Sequence, residues 1–395
     1  MAIDARVSQK AAAMTLIAVA GVSLTSIPAV AHGSTARQPA AAGAGVQAVA
    51  APGTPRLPGG LSALSWMVAD ADTGSVLAAK NAHRKLPPAS TLKTLFAVTV
   101  LPKFPSGSVR RVSTADLAGI GSGSSVVGVK EGRRYSVADL WRGVFLRSGN
   151  DAVHVLAAMN GGWRTTAQEM QETARKLGAR DTTVKSPDGY DAPGQVSSAY
   201  DLSVFARAGL ANDDFARYCA TSRAAFPGAG GTTMIENTNR ILVGSHGLSR
   251  YPGIIGVKNG YTSKAGNTLI AAARRNGRTL LVTVLNPQSN ATNAVYKEAG
   301  SLLDWGFDTD GKAQPVGTLH AVRTPDGDGD APLRPVAAEI TGAEAHGGPP
   351  RRSTLVLGAG GAGVAALGLG ALLGRWRQAR GRRRQGEGRR RSLGR

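Results

Sequence analysis

The chain has 395 residues, 42% of them hydrophobic, with one cysteine and a formal net charge of +21. That hydrophobic content is enough for a core and excludes a wholly disordered chain. The lone Cys219 excludes an internal disulfide, no metal-type Cys/His spacing occurs, and the basic charge, which points to an anionic partner, is unevenly spread.

In chain order, Arg6 and Lys10 precede an apolar run from Ala11 to Val30 that closes on Ala29-Val30-Ala31. A basic start, a short apolar stretch and small residues at the cleavage positions predict a secretory signal peptide over 1–31, cut after Ala31. Residues 32–60 are rich in Ala, Gly and Pro and read as a linker. From Leu61 to Ala321 the chain reads as one globular unit. "LSWMVADADTGSVLAAKNAHRKLPPAS" predicts two short strands about a turn at Asp70-Ala71-Asp72-Thr73-Gly74, and a helix follows from Ser90. Helical periodicity recurs in "VADLWRGVFLRSG", "DAVHVLAAMN", "TTAQEMQETARKLGA" and "AYDLSVFARAGL". "NTLIAAARRNGRTLLVTVLN" predicts a hairpin through Asn276-Gly277, and "AVYKEAGSLLDWGF" a closing helix. Strands, then helices, then strands and a last helix give an α+β layout, with one antiparallel sheet completed by both ends of the unit and flanked by helices.

Residues 322–352 form a Pro- and Gly-rich spacer. Ser353 to Gly374 carries no charge and is long enough to cross a bilayer as a helix, for which about 20 residues suffice. Residues 375–395 hold ten arginines and one acid, Glu387, which marks the cytoplasmic side of such a span. This tail reads as a topology anchor touching anionic lipid, with no nucleic-acid partner expected. The expected location is therefore the cell membrane, single-pass, with the globular unit on the extracytoplasmic side.

Three short elements in the globular unit bear on chemistry. Ser90 and Lys93 stand three apart at a helix start, where they share a face. A desolvated lysine loses its proton more readily and can then deprotonate the serine, and helix-start N–H groups support the developing anion. Alone, the spacing is more often that of a capping serine and a solvated lysine. Ser148-Gly149-Asn150 follows on a loop between two helices, where a hydroxyl and an amide can face one cleft, or simply make a turn. Lys258-Asn259-Gly260 comes third, at the end of an apolar run. There a lysine offers fixed positive charge to a carboxylate, and the glycine lets a ligand backbone approach as an added strand. Lys130-Glu131-Gly132 and Lys176-Leu177-Gly178 share the K-x-G spacing but lack the order and the edge strand.

Taken in this order, the elements resemble the S-x-x-K, S-x-N and K-T-G set of penicillin-binding proteins and serine β-lactamases. In particular the chain resembles the low-molecular-mass D-alanyl-D-alanine carboxypeptidases, serine peptidases of the S11 type. The resemblance covers about Leu61 to Gly306 and includes "VADADTGSVLAAKNAHRKLPPASTLKT", "FLRSGNDAVHVLA", "SPDGYDAPGQVSSAYDL" and "GVKNGYTSKAGNTLIAAARRNG". It implies an antiparallel sheet with an inserted, mostly helical subdomain of β-lactamase/transpeptidase type. It further implies Ser90 as the acylated nucleophile, Lys93 as general base and Ser148 as proton relay. Asn150, Lys258, Asn259, Gly260 and Tyr261 would bind substrate, with the backbone N–H groups of Ser90 and Tyr261 as oxyanion hole. The implied partners are peptidoglycan pentapeptide stems and, as covalent inhibitors, β-lactams; no cofactor or metal is implied. Two departures stand out: Asn259 replaces the usual hydroxyl residue of the third motif, and residues 306–352 are too short for a β-rich second domain. The alternatives are a β-lactamase, for which only Asp188 and Asp191 offer acids in the relevant loop, and a non-catalytic peptidoglycan-binding protein.

Overall fold

A computed structural model describes residues 45–49, 51–228 and 230–319. The signal peptide, the spacer, the membrane span and the basic tail expected from the sequence lie outside the described residues. Among the described residues, no helix is long and apolar enough to cross a membrane.

The strands are β1 (Val46–Ala48), β2 (Ala63–Asp70) and β3 (Ser75–Lys80), followed by a 3-10 turn over Ala89–Leu92 that runs into α1 (Lys93–Val100). A small hairpin of β4 (Val109–Arg111) and β5 (Arg134–Ser136) leads to α2 (Val137–Arg147), α3 (Asn150–Met159) and α4 (Trp163–Lys176). Then come α5 (Ala199–Leu210), α6 (Asp213–Ala220), the hairpin β6 (Arg223–Gly228) and β7 (Gly231–Glu236), and the short α7 (Arg240–Val243). The chain returns through β8 (Ile254–Thr262), β9 (Gly266–Arg275) and β10 (Arg278–Pro287) to α8 (Ala294–Asp308) and β11 (Gly317–Thr318).

The main sheet is antiparallel in the order β1-β3-β2-β10-β9-β8, with β11 also on β3. Both of its faces are buried, which is why β9 and β10 read as continuous apolar runs rather than alternating ones. On one face, Met67, Ala69, Ile270, Ala272, Leu281 and Leu285 share a core with residues of α1, α2, α3 and α5, of which α5 lies directly on β2, β9 and β10. On the other, Trp66, Val68, Leu269, Leu280 and Val282 pack against Leu302, Leu303 and Trp305 of α8. Burial of the larger of these side chains, at about 1.5–3 kcal/mol each, is the main force holding the helices to the sheet.

The helical region between β3 and β8 is the insert that the resemblance implied. Two expectations are corrected. The linker does not end at 60: β1 pairs with β3 in the register Val46–Lys80, and the Trp305 indole N–H donates to Pro55 O at 2.9 Å. The α-helix begins at Lys93 rather than Ser90, because residues 89–92 wind as a 3-10 turn.

Candidate active site

The 3-10 turn decides how the first motif is presented. With three residues per turn, side chains at i and i+3 eclipse each other, closer than on an α-helix. Lys93 Nζ accordingly lies 2.8 Å from Ser90 Oγ. Ser90 is not a helix cap, since the turn starts from Pro88 and no side-chain cap bond is made there. Ala89, just before it, sits in the left-handed region at φ 49°, a conformation that costs a non-glycine residue about 1 kcal/mol or more. Two threonines brace the turn, as Thr91 Oγ1 and Thr268 Oγ1 both donate to Pro88 O.

Lys93 is buried to 1% exposure, and its second contact is Asp188 O at 2.6 Å. Burial pulls its pKa down from 10.5 to about 8, against the nearby charges of Asp188 and Asp151, which hold it up. A neutral amine is thus within reach close to neutral pH, beside a serine hydroxyl. Asp151 accepts from the backbone N–H groups of Val127, Gly128, Val129 and Ala152, which fixes the 127–129 loop to α3.

Ser148 and Asn150 lie at the junction of α2 and α3. Helix α2 starts on a capping box between Ser136 and Asp139 and stops at Ser148, held in the left-handed region at φ 56°. Ser148 Oγ and Asn150 Oδ1 are both buried with no hydrogen-bond partner. Unpaired buried polar atoms are uncommon, and here they belong to the residue for which the resemblance implied proton relay and to one of those for which it implied substrate binding. The Asn150 amide nitrogen donates to Asp188 Oδ2 at 2.8 Å and to Ser124 Oγ at 3.0 Å.

The third motif lies on β8, the edge strand next to β9. A Cβ on Gly260 would stand 2.7 Å from Ser90 N, so only glycine lets this edge come so near the 3-10 turn. Lys258 is buried and donates to Asn259 O at 2.8 Å. Burial, and then repulsion by Lys93, push its pKa well below the ordinary lysine value. Burial thus disfavours the positive charge that the sequence placed on this lysine. Asn259 Oδ1 accepts from Thr238 Oγ1 at 2.9 Å, and Tyr261, paired with Asn267, leaves its side chain 68% exposed. Beside them opens a cavity of about 530 Å³ lined by Thr238, Asn259, Gly260, Tyr261, Arg147 and Arg240.

This geometry agrees with the comparisons to known proteins. The model of the Peptidase_S11 family, described as D-alanyl-D-alanine carboxypeptidase, matches residues 49–289, more than half of the chain. The chain belongs to that family. Membership makes it a serine-type D-alanyl-D-alanine carboxypeptidase by class. D-alanyl-D-alanine carboxypeptidase DacB2 of Mycobacterium tuberculosis is 40% identical over 260 residues, covering 65% of this chain and 86% of the relative. DacD of Escherichia coli is 35% identical over 254 residues, and there the match spans only 62% of the relative's length. Among solved structures, the D-alanyl-D-alanine carboxypeptidase from Mycobacterium tuberculosis superposes with a TM-score of 0.61 at 39% identity, over 68% of this chain and 98% of that one. The Streptomyces K15 DD-transpeptidase gives 0.58 at 26% identity, over 64% and 99%.

In this carboxypeptidase-family chain, the other two lysines with the K-x-G spacing lie on no strand: Lys130 is exposed in a loop and Lys176 is exposed at the end of α4. Sequence reasoning missed the role of the loop over 186–191, weighing Asp188 and Asp191 only as acids for a deacylating water. Asp191 instead accepts from Thr262 Oγ1 at 2.7 Å, tying the loop to the end of β8. Asp188 is occupied by Asn150, Ser186 and Tyr190, so neither carboxylate stands ready to activate water.

Proposed function

We propose that this chain removes the terminal D-alanine of peptidoglycan stem peptides through an acyl-Ser90 intermediate, and that β-lactams acylate the same serine. The observation that carries the reading is the 2.8 Å approach of a fully buried Lys93 amine to Ser90 Oγ. Neutral Lys93 takes the Ser90 proton as Oγ attacks the carbonyl of the penultimate residue, and the Ser90 N–H, with that of Tyr261, stabilises the oxyanion. The proton passes through Ser148 to the departing amine, the C–N bond breaks and D-alanine leaves. Water, deprotonated by Lys93, then hydrolyses the ester and restores Ser90. Asn150 holds the substrate amide. Asn259 donates to the terminal carboxylate, with Arg147 and Arg240 supplying positive potential from the same cavity.

Release of D-alanine from a pentapeptide mimic tests this directly, together with labelling by a fluorescent penicillin. The wild type releases D-alanine and labels, and Ser90→Ala does neither; a Ser90→Ala protein that still labels sinks the reading. Fast hydrolysis of nitrocefin by the wild type would transfer the chain to the β-lactamases. The sequence features of 1–31 and 353–395 support export and a single membrane anchor with the basic tail inside. Digestion of intact cells by external protease should then remove the globular unit and leave the tail protected.

A further inference from the structure

We propose that Asp188 is a positioning residue for this site, its backbone carbonyl orienting the Lys93 amine while its carboxylate decides which end of the Asn150 amide stays free. The proposal deepens the reading above and rests on Ser90 and Lys93 being the reacting pair.

A neutral lysine amine has two hydrogens and one lone pair. The bond from Lys93 Nζ to Asp188 O, at 2.6 Å, uses one hydrogen and so helps direct the lone pair toward Ser90 Oγ, 2.8 Å away. The carboxylate of the same residue is buried and fully engaged. Its Oδ1 accepts from Ser186 Oγ at 2.7 Å and from Tyr190 N at 2.9 Å, and its Oδ2 accepts from the Asn150 amide at 2.8 Å. An ionised carboxylate can only accept hydrogen bonds, so Asn150 must turn its nitrogen to Asp188. Ser124 takes the second N–H, and Asn150 Oδ1 is left as the buried, unpaired acceptor. The loop is seated for this by Gly189 at φ 80°, where a Cβ would stand 2.0 Å from Ala89 O on the nucleophile turn.

Lys93 is faced by Asp188 from this loop, by Asp151 and His154 from α3, and by Lys258 from β8. The two acids favour its ammonium form, whereas Lys258 is a like charge whenever both are protonated. Removing the Asp188 charge should therefore lower the pH at which Lys93 becomes neutral.

The test is the rate of acylation by a fluorescent penicillin in the full chain from about pH 6 to about pH 10, with KM for a D-alanyl-D-alanine peptide and the melting temperature alongside. Asp188→Asn is expected to move the acid limb to lower pH. It should also raise KM about tenfold, because either Asn150 turns over or Tyr190 N loses its acceptor. Ser186→Ala leaves the carboxylate with more unshared charge, and is expected to move the limb the opposite way while leaving the residue in place. If both variants keep the wild-type limb and KM, the proposal is overturned, whether or not their melting temperatures fall. A wild type that does not label, or a Ser90→Ala protein that does, refutes the reacting pair itself and is read separately from either variant.

Discussion

Lys93 shows at the scale of one residue how reactivity is set against stability. Its pKa falls from 10.5 to about 8 because the fold buries it, so the fold opposes its charge. Below pH 8 the amine is protonated both folded and unfolded, and the full cost applies. As pH rises from 8 to 10.5 the folded form loses its proton first and the cost disappears. The difference of 2.5 units corresponds to about 3 kcal/mol. Wild type should accordingly gain stability relative to Lys93→Met across that window, as read by denaturant unfolding at a series of pH values. A constant gap between the two would mean that Lys93 is not desolvated. The same group predicts that acylation rises with pH about a midpoint near 8, since only the neutral amine accepts the serine proton. At Asn259 the expected chemistry is donation to a carboxylate. Asn259→Asp keeps the shape and reverses the electrostatics, so KM for the peptide should rise about tenfold or more, with the melting temperature little changed. An unchanged KM would place the carboxylate elsewhere. The three motifs were legible because they recur in a fixed order, each in a suitable local setting. Asp188 was not, because its bond to Lys93 runs through a backbone carbonyl 95 positions away, which no side-chain pattern encodes.

Among elements, the site depends on three pieces of backbone pressed together: the 3-10 turn at 89–92, the edge strand β8 and the loop at 186–191. Gly260 fixes the closest approach, with a substituted Cβ meeting both Ser90 N and Thr268 Oγ1 at 2.7 Å. Gly260→Ala should push β8 off the turn and slow acylation by at least about a hundredfold, while far-UV circular dichroism stays that of the wild type. Ser136→Ala is the matching control away from the site. It breaks the capping box of α2 and should cost about 1 kcal/mol of stability without altering the acylation rate of folded protein. If Gly260→Ala acylates at the wild-type rate, β8 has room to spare and the close approach is incidental. The longer helices and the β9–β10 hairpin could be read from periodicity and from Asn276-Gly277. The hairpin of β6 and β7 and helix α6 could not. The former includes Pro227 and keeps half of its residues exposed, and the latter is a two-turn helix capped by Asn212, too short to show a period.

For the whole molecule, the extent of the folding unit separates the sequence boundary from the structural one. The sequence starts the domain at 61, since residues 32–60 lack periodicity and abound in Ala, Gly and Pro. The structure instead uses part of that stretch to cover a sheet edge. β1 pairs with β3, Gly45 N donates to Asn81 Oδ1 at 2.7 Å, Leu57 packs against the α8 side of the sheet, and Pro55 O accepts from Trp305. Pairing takes only three residues on the strand, too few for an alternating pattern to stand out. An unpaired edge strand is open to association with other chains, so removing β1 should lower both stability and solubility. A protein spanning 45–319 is therefore expected to melt about 2–8 °C above one spanning 61–319. Both should be acylated at the same rate, because β1 and β8 lie at opposite edges of the sheet. Equal melting temperatures would return 45–60 to the status of a linker. A loss of acylation confined to the shorter protein would mean that strain at the β1 edge reaches across the intervening strands to the 3-10 turn at Ser90, which the rigid packing of both sheet faces argues against.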